Sequence, residues 1–350
     1  MKKAIVIGAG KTGRGFVGRL LAEADTQIVF IDKNAALVDA LNAAGSFAVH
    51  FFSGVRESMT VEQFRAYTWE TAPAFDTELI FVAVCGQNLS DVGVQLNARL
   101  SDGVHYRIIT CENATDPAGK LKSAIPNKTV SVSEATVFCT TIEADGLDIR
   151  SENYPYLQCN SALLDGYVPE IPSVRPMDNF SNFLTRKLLT YNAAACVIAY
   201  LGALRGYTDF GAAANDPEIL AQLDQNYAET NRAMCRAFGY DEADQAQFAA
   251  LSRSKFTDRT IADTVARNAR EPHRKLAPNE RIIGAAKLLR AHGADPSVLI
   301  RTAAAALVYD DPTDPVWQKI RAKKSPAAIL TDICGLTKDD PLYEEILAHI

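Results

Sequence analysis

The chain has 350 residues, of which 48% are hydrophobic and 22% charged, and its formal net charge is −6. That balance describes a globular chain long enough for two domains with their own cores, and it supplies no electrostatic attraction to nucleic acid or to a membrane. No run approaches the roughly eighteen consecutive apolar residues of a spanning helix, and the apolar run Ala4–Ile7 is too short for a secretory leader. The cysteines at 85, 111, 139, 159, 196, 235 and 334 are scattered without C-x-x-C spacing, which predicts reduced thiols in a cytoplasmic protein. Five histidines, none at metal-ligand spacing, give no reason to expect a metal.

The first predicted strand, Ala4–Ile7, runs directly into Gly8-Ala-Gly10-Lys11-Thr12-Gly13 and then a helical pattern. This is G-x-G-x-x-G in the strand–turn–helix setting that gives it meaning. Gly8 serves the tight turn, Gly10 the close approach of a pyrophosphate, and Gly13 the packing of helix on strand. The amides of Lys11 and Thr12 then open a helix N-terminus that favours phosphate. The second strand, Gln27–Ile31, ends at Asp32, about twenty residues past the glycines, where a carboxylate binds the ribose 2′-hydroxyl of NAD and repels the 2′-phosphate of NADP. A P-loop reading of Gly10-Lys11-Thr12 fails because position 5 is Ile5 rather than glycine.

Further apolar runs at Leu79–Cys85, Tyr106–Cys111 and Thr129–Thr136 alternate with amphipathic stretches, which predicts βαβ units and a mostly parallel sheet. The loops Cys85-Gly86-Gln87-Asn88 and Cys111-Glu112-Asn113 leave carboxyl ends of strands, where open α/β sheets bind ligands. Asn88 and Asn113 are alternatively helix caps. Thr140–Ile149 reads as a hairpin, and Pro169, Pro172 and Pro176 mark an irregular connection. The expected fold is therefore α/β: a Rossmann-type NAD-binding domain over 1–177 and an all-helical substrate domain over 178–350. Helices are expected from Asp178 onward and then at about 216–238, 242–253, 258–269, 278–292, 295–307, 313–322, 325–333 and 340–349.

The stretch Lys187-Leu-Leu-Thr-Tyr-Asn192-Ala-Ala-Ala195-Cys-Val-Ile-Ala-Tyr200-Leu201-Gly202 resembles the K-x-x-x-x-N-x-x-H signature, followed by Tyr-Leu-Gly, of the long-chain polyol dehydrogenase family. The first turn with Arg14-Gly15-Phe16, Val49-His50, Gly86-x-Asn88, Cys111-Glu112-Asn113, Arg267-x-x-Arg270-x-Pro-x-Arg274-Lys275 and Asp310-Asp311-Pro312 extend the likeness over nearly the whole chain, and the length fits its sugar-phosphate branch. The resemblance implies NAD-dependent interconversion of mannitol 1-phosphate and fructose 6-phosphate, with Lys187 as general acid/base and Asn192 and Asn113 holding the reacting oxygen. It also implies that Arg267 and Lys275 contact substrate, and Arg270 and Arg274 add charge suited to a phosphate. A small, phosphorylated substrate and a monomer or weak homodimer follow as expectations. On a straight α-helix Lys187, Asn192 and position 195 would span an arc of roughly 140° at 100° per residue.

The chain departs from the family at two places. Ala195 stands where the motif has histidine, and Val137-Phe138 stand where it has an Asp-Arg pair. Two polyol-contacting groups are thus replaced by apolar ones. A dehydrogenase of this fold acting on another hydroxy acid or sugar acid, and a non-catalytic NAD-binding protein, remain as alternative readings.

Overall fold

The computed structural model describes residues 2–52, 57–114 and 116–350. The chain divides into two compact units, Met1–Phe180 and Ser181–Ile350.

The strands of the first unit are β1 (Lys2–Ile7), β2 (Thr26–Ile31), β3 (Phe47–Phe51), β4 (Ser58–Val61), β5 (Phe64–Tyr67) and β6 (Leu79–Val82). They continue as β7 (Tyr106–Thr110), β8 (Val130–Glu134), β9 (Thr141–Glu143), β10 (Ile149–Ser151), β11 (Leu157–Asn160) and β12 (Val174–Met177). Six of them form one parallel sheet in the order β5-β2-β1-β6-β7-β8. The order reverses between β1 and β6, which is the doubly wound arrangement and leaves a crevice at the carboxyl ends. Why these runs are continuously apolar follows from the pleat. Ala4, Val6, Ile28 and Phe30 fill one core, while Ile5, Ile7, Val29 and Ile31 fill the other. A strand buried on both faces cannot alternate polar and apolar residues.

Every strand expected from the sequence is found, and the 140–149 hairpin forms as β9 and β10 with Glu143 opposite Ile149. The edge strand β5 and a second sheet, β4-β3-β10-β9, were not anticipated. Both are short, and β3 draws its parallel partner β10 from far along the chain, so no local pattern announces them. The helix after the first turn is tightly seated on this second sheet. A Cβ on Gly15 would lie 2.3 Å from Ile149 Cγ2.

The described residues of the second unit are helical, with its core on Ala193–Tyr200, Ile283–Leu289 and Val298–Leu307. The stretch Phe180–Leu204 is long and apolar enough to cross a membrane by length and composition alone. Its residues Ala193–Leu201 fill the helical core with the exception of half-buried Ala195. Two expected helices are shorter than the pattern suggests. The 258–269 helix is only Val265–Ala269, because Thr260 bonds the Asp258 carboxylate and Phe210 N–H bonds the Asp263 carbonyl. The 278–292 helix begins only at Ile283, after a turn that closes from Glu280 N–H to Ala277 O at 3.0 Å.

Candidate active site

The glycine turn sits between β1 and a helical segment whose first stretch, Gly13–Gly18, is π-helical. Its glycines have three separate causes. Gly8 has φ of 95°, and a Cβ there would meet Ala83 O at 2.2 Å. A Cβ on Gly13 would lie 1.8 Å from Gly8 O, so Gly13 permits the helix to close on the turn. Gly10 is different: a Cβ there would meet no atom of the described residues within 4 Å. The protein's own packing does not require glycine at position 10, whereas a ligand lying against that backbone would.

That open space belongs to a cavity of about 490 Å³ lined by Gly8, Gly10, Lys11, Thr12, Asp32 and Asn88, among others. Six of the eight residues expected to bind a dinucleotide therefore face one cavity. Gly13 and Gly86 do not line it; a Cβ on Gly86 would lie 2.7 Å from the Ala114 Cβ. Asp32 is held rigidly: its two oxygens accept N–H bonds from Ala9 at 2.7 Å and Asn34 at 2.9 Å. The turn and the acid are thereby one unit, and the donor set fits a dinucleotide. Asn88 does not cap its helix; its side chain donates to Val84 O at 2.6 Å. Asp116 rather than Asn113 caps the helix after β7, and Asn113 is exposed in the loop.

Glu112, Glu143, Asp91 and Trp69 also line this cavity and were not assigned a role from the sequence. Glu112 accepts N–H bonds from Val84 at 2.5 Å and Cys85 at 2.9 Å, and so pins a loop in which Cys85 has φ of 73°. Burial raises its pKa against the pull of those two amides. Only its place in the Cys111-Glu112-Asn113 loop signalled it. Glu143 was invisible, since it arrives on the second sheet.

In the second unit Lys187–Asn192 is π-helical. Ala193 N–H reaches back five residues to Leu188 O, so the straight-helix expectation of a 140° spread is corrected. Residues five apart close the hydrogen-bonded ring of a π-helix and stack along one face. Lys187 and Asn192 are such a pair. The segment is anchored at its start by buried Arg186, whose Nε donates to Gln245 Oε1 at 2.7 Å and whose guanidinium lies between the rings of Tyr240 and Phe248 at 4.5 and 4.4 Å. Half-buried Lys187 has its pKa lowered to about 7, first by desolvation and then by the like charges of Lys255 and Arg281. Lys255 stands 5.2 Å over the Tyr191 ring, on the same segment. Neither Lys255 nor Arg281 carries a motif, so the sequence reading passed over both.

The four cationic residues of 267–275 are not equivalent. Arg267 makes a bidentate pair with Asp263 at 2.7 and 3.0 Å, and Arg274 binds Glu271 at 3.0 and 2.7 Å. Arg270 is exposed and donates to the Arg267 carbonyl. Lys275 is buried, bonded to the Asn268 carbonyl and 5.8 Å over the Tyr200 ring. Desolvation leads the causes that lower its pKa to about 8.

Residues 2–142 match the mannitol dehydrogenase Rossmann domain and residues 179–347 the mannitol dehydrogenase C-terminal domain. Mannitol-1-phosphate 5-dehydrogenase of Bacillus pumilus is 30% identical over 99% of this chain and 98% of its own length. The enzyme of that name from Paenarthrobacter aurescens is 29% identical over 97% of this chain and 96% of its own. In fold, a D-sorbitol dehydrogenase superposes with a TM-score of 0.78 at 13% identity over 99% of this chain and 91% of its own. Mannitol 2-dehydrogenase of Pseudomonas fluorescens, solved with NAD and D-mannitol, does so with a TM-score of 0.68 at 13% identity over 99% and 90%. A Rossmann half and a helical half in this order, matched from end to end by such relatives, mean that the chain belongs to the mannitol dehydrogenase family.

Proposed function

We propose that the protein is an NAD-dependent dehydrogenase interconverting a sugar-alcohol phosphate and a ketose phosphate, of the mannitol 1-phosphate and fructose 6-phosphate type. The observation that carries the chemistry is Lys187, an amine with a pKa of about 7 on a rigid π turn beside Asn192. A general base works best with a pKa near the working pH. Neutral Lys187 accepts the hydroxyl proton as the alcohol is oxidised, and protonated Lys187 returns it to the carbonyl oxygen in reduction. Asn192 and, by the family motif, Asn113 donate hydrogen bonds to that oxygen as its charge develops. NAD, when bound, supplies the hydride acceptor. Gly8, Gly10, Lys11, Thr12 and Asp32 would hold it, Asp32 selecting the unphosphorylated ribose. The curated relatives act, by name, on mannitol 1-phosphate, and this supports the phosphorylated substrate; Arg267, Arg270, Arg274 and Lys275 are the family positions carried over for it. Action in the cytoplasm rests on the scattered cysteines, and a monomer or weak homodimer on the family resemblance.

One observation favours a second reading. Val137, where the family has the aspartate of its Asp-Arg pair, packs against the apolar core of the first unit, and position 195 is alanine. A polyol would lose two polar contacts there, so another hydroxylated acid is the alternative substrate. The test is NADH oxidation with fructose 6-phosphate beside fructose and a panel of keto acids. Turnover on fructose 6-phosphate supports the first reading. Turnover only on a keto acid supports the second.

A further inference from the structure

The cavity at the glycine turn has an unfavourable charge balance for the ligand it fits. Its charged lining is Lys11, Lys33, Asp32, Asp91, Glu112 and Glu143, four acids against two bases, whereas a dinucleotide brings two anionic phosphates. Helix-terminal amides offset part of this. A further cation lies immediately behind the turn. Arg14 is only 4% exposed, its Nη1 donates to the Ala9 carbonyl, and its buried Nε has no partner among the described residues. Ala9 also gives its N–H to Asp32. Asp32 and Arg14 thus hold the two successive peptide groups that flank the Ala9 Cα, one by its N–H and the other by its carbonyl.

The second sheet surrounds this guanidinium. The ring of Phe47 on β3 is 6.0 Å away. Asp148, just before β10, accepts the Ala48 N–H at 2.8 Å and pairs with His50 at 3.0 Å. Glu143 ends β9 and faces the cavity. Burial works against the charge of Arg14, and the carboxylates of Glu143, Asp32 and Asp148 support it in decreasing order.

We infer that Arg14 is the buried counter-charge of the pyrophosphate site, a positioning residue that fixes the Ala9 carbonyl and offsets Glu143, so that the second sheet is an electrostatic part of the cofactor site. Arg14 does not line the cavity; it acts through the turn and through the field it sets there. Without it, Glu143 and Asp32 would face the phosphates with no cation behind the turn.

The inference rests on the dinucleotide reading of the cavity, so binding of ADP-ribose and of adenosine to the wild-type protein is measured first by calorimetry. If the wild type does not bind ADP-ribose, it is the dinucleotide reading that fails. Arg14→Met is expected to weaken ADP-ribose by about tenfold or more, the scale of one fixed charge at close range, and to leave adenosine unchanged. Arg14→Lys should retain most of the affinity. Glu143→Gln alone should tighten ADP-ribose severalfold, more at low salt, and Glu143→Gln in the Arg14→Met background should recover much of the loss. Equal weakening of adenosine and ADP-ribose would make Arg14 a fold element only and overturn the inference. Should Arg14→Met fail to fold, Glu143→Gln decides alone: unchanged or weaker ADP-ribose binding refutes the proposal.

Discussion

Lys187 sets the expected pH dependence. With a pKa of about 7, alcohol oxidation needs the neutral amine, so its kcat/KM should rise as pH passes through about 7. Ketose reduction needs the ammonium form and should fall above the same pH. Removing the like charge of Lys255 by Lys255→Met should move both inflections upward, and an unmoved profile would detach Lys255 from the base. Lys187→Ala should cost about 10²- to 10⁴-fold in turnover, the usual worth of general acid–base catalysis, while NADH affinity stays as it was. Surviving turnover would disprove the assignment. Ala195→His restores the one motif residue that is missing and should raise turnover on mannitol 1-phosphate. No change would mean that the pocket has diverged beyond that one residue, Val137 included. Asp32→Ala should weaken NAD by about tenfold and reduce discrimination against NADP, since the acid both faces the cavity and holds the Ala9 and Asn34 amides. Equal NAD affinity in the variant would remove Asp32 from the site.

The elements that matter most are the two π-helical segments, Gly13–Gly18 and Lys187–Asn192. Each lies where chemistry was expected, and neither is visible as hydrophobic periodicity, because the change from a four-residue to a five-residue hydrogen bond alters spacing by a single position. The spacing of the K-x-x-x-x-N motif acquires its meaning only in this register. The glycine turn makes a sharper test. Gly10→Ala has room for its Cβ, whereas Gly13→Ala drives a Cβ to 1.8 Å from Gly8 O. Gly10→Ala should therefore melt with the wild type and bind NADH more weakly. Gly13→Ala should be destabilised outright. A thermal melt and an NADH titration on each variant separate ligand space from packing; a destabilised Gly10→Ala would show that the open space is not there for a ligand.

For the whole molecule, buried Lys275 ties stability to pH. Lys275 titrates near 8 in the folded protein, below the ordinary lysine value of about 10.4. Across that window the unfolded chain holds a proton that the folded chain has released, so stability rises with pH from about 8 to 10. Below about 8 both states are protonated and the full penalty of burying the ammonium remains. Lys275→Met should relieve that penalty, and its difference from wild type in urea midpoint should shrink as pH rises from about 7 to 10. A difference that does not vary with pH would mean that the amine carries no shifted titration.

At this scale the sequence by itself determined the parallel sheet, the glycine turn followed by Asp32, the helical second half and the family's lysine–asparagine signature. Each is written in contiguous residues: apolar runs buried on both faces, glycines at fixed offsets, and one short signature. Tertiary structure alone decided what lies between distant segments. It brought Glu143 and Asp148 to Arg14 through a sheet whose strands β3 and β10 are far apart in the chain, and it set Lys255 and Arg281 against Lys187. It also divided the 267–275 cations into paired arginines and a buried lysine. Charge and burial depend on neighbours in space, and a sequence lists neighbours only along the chain.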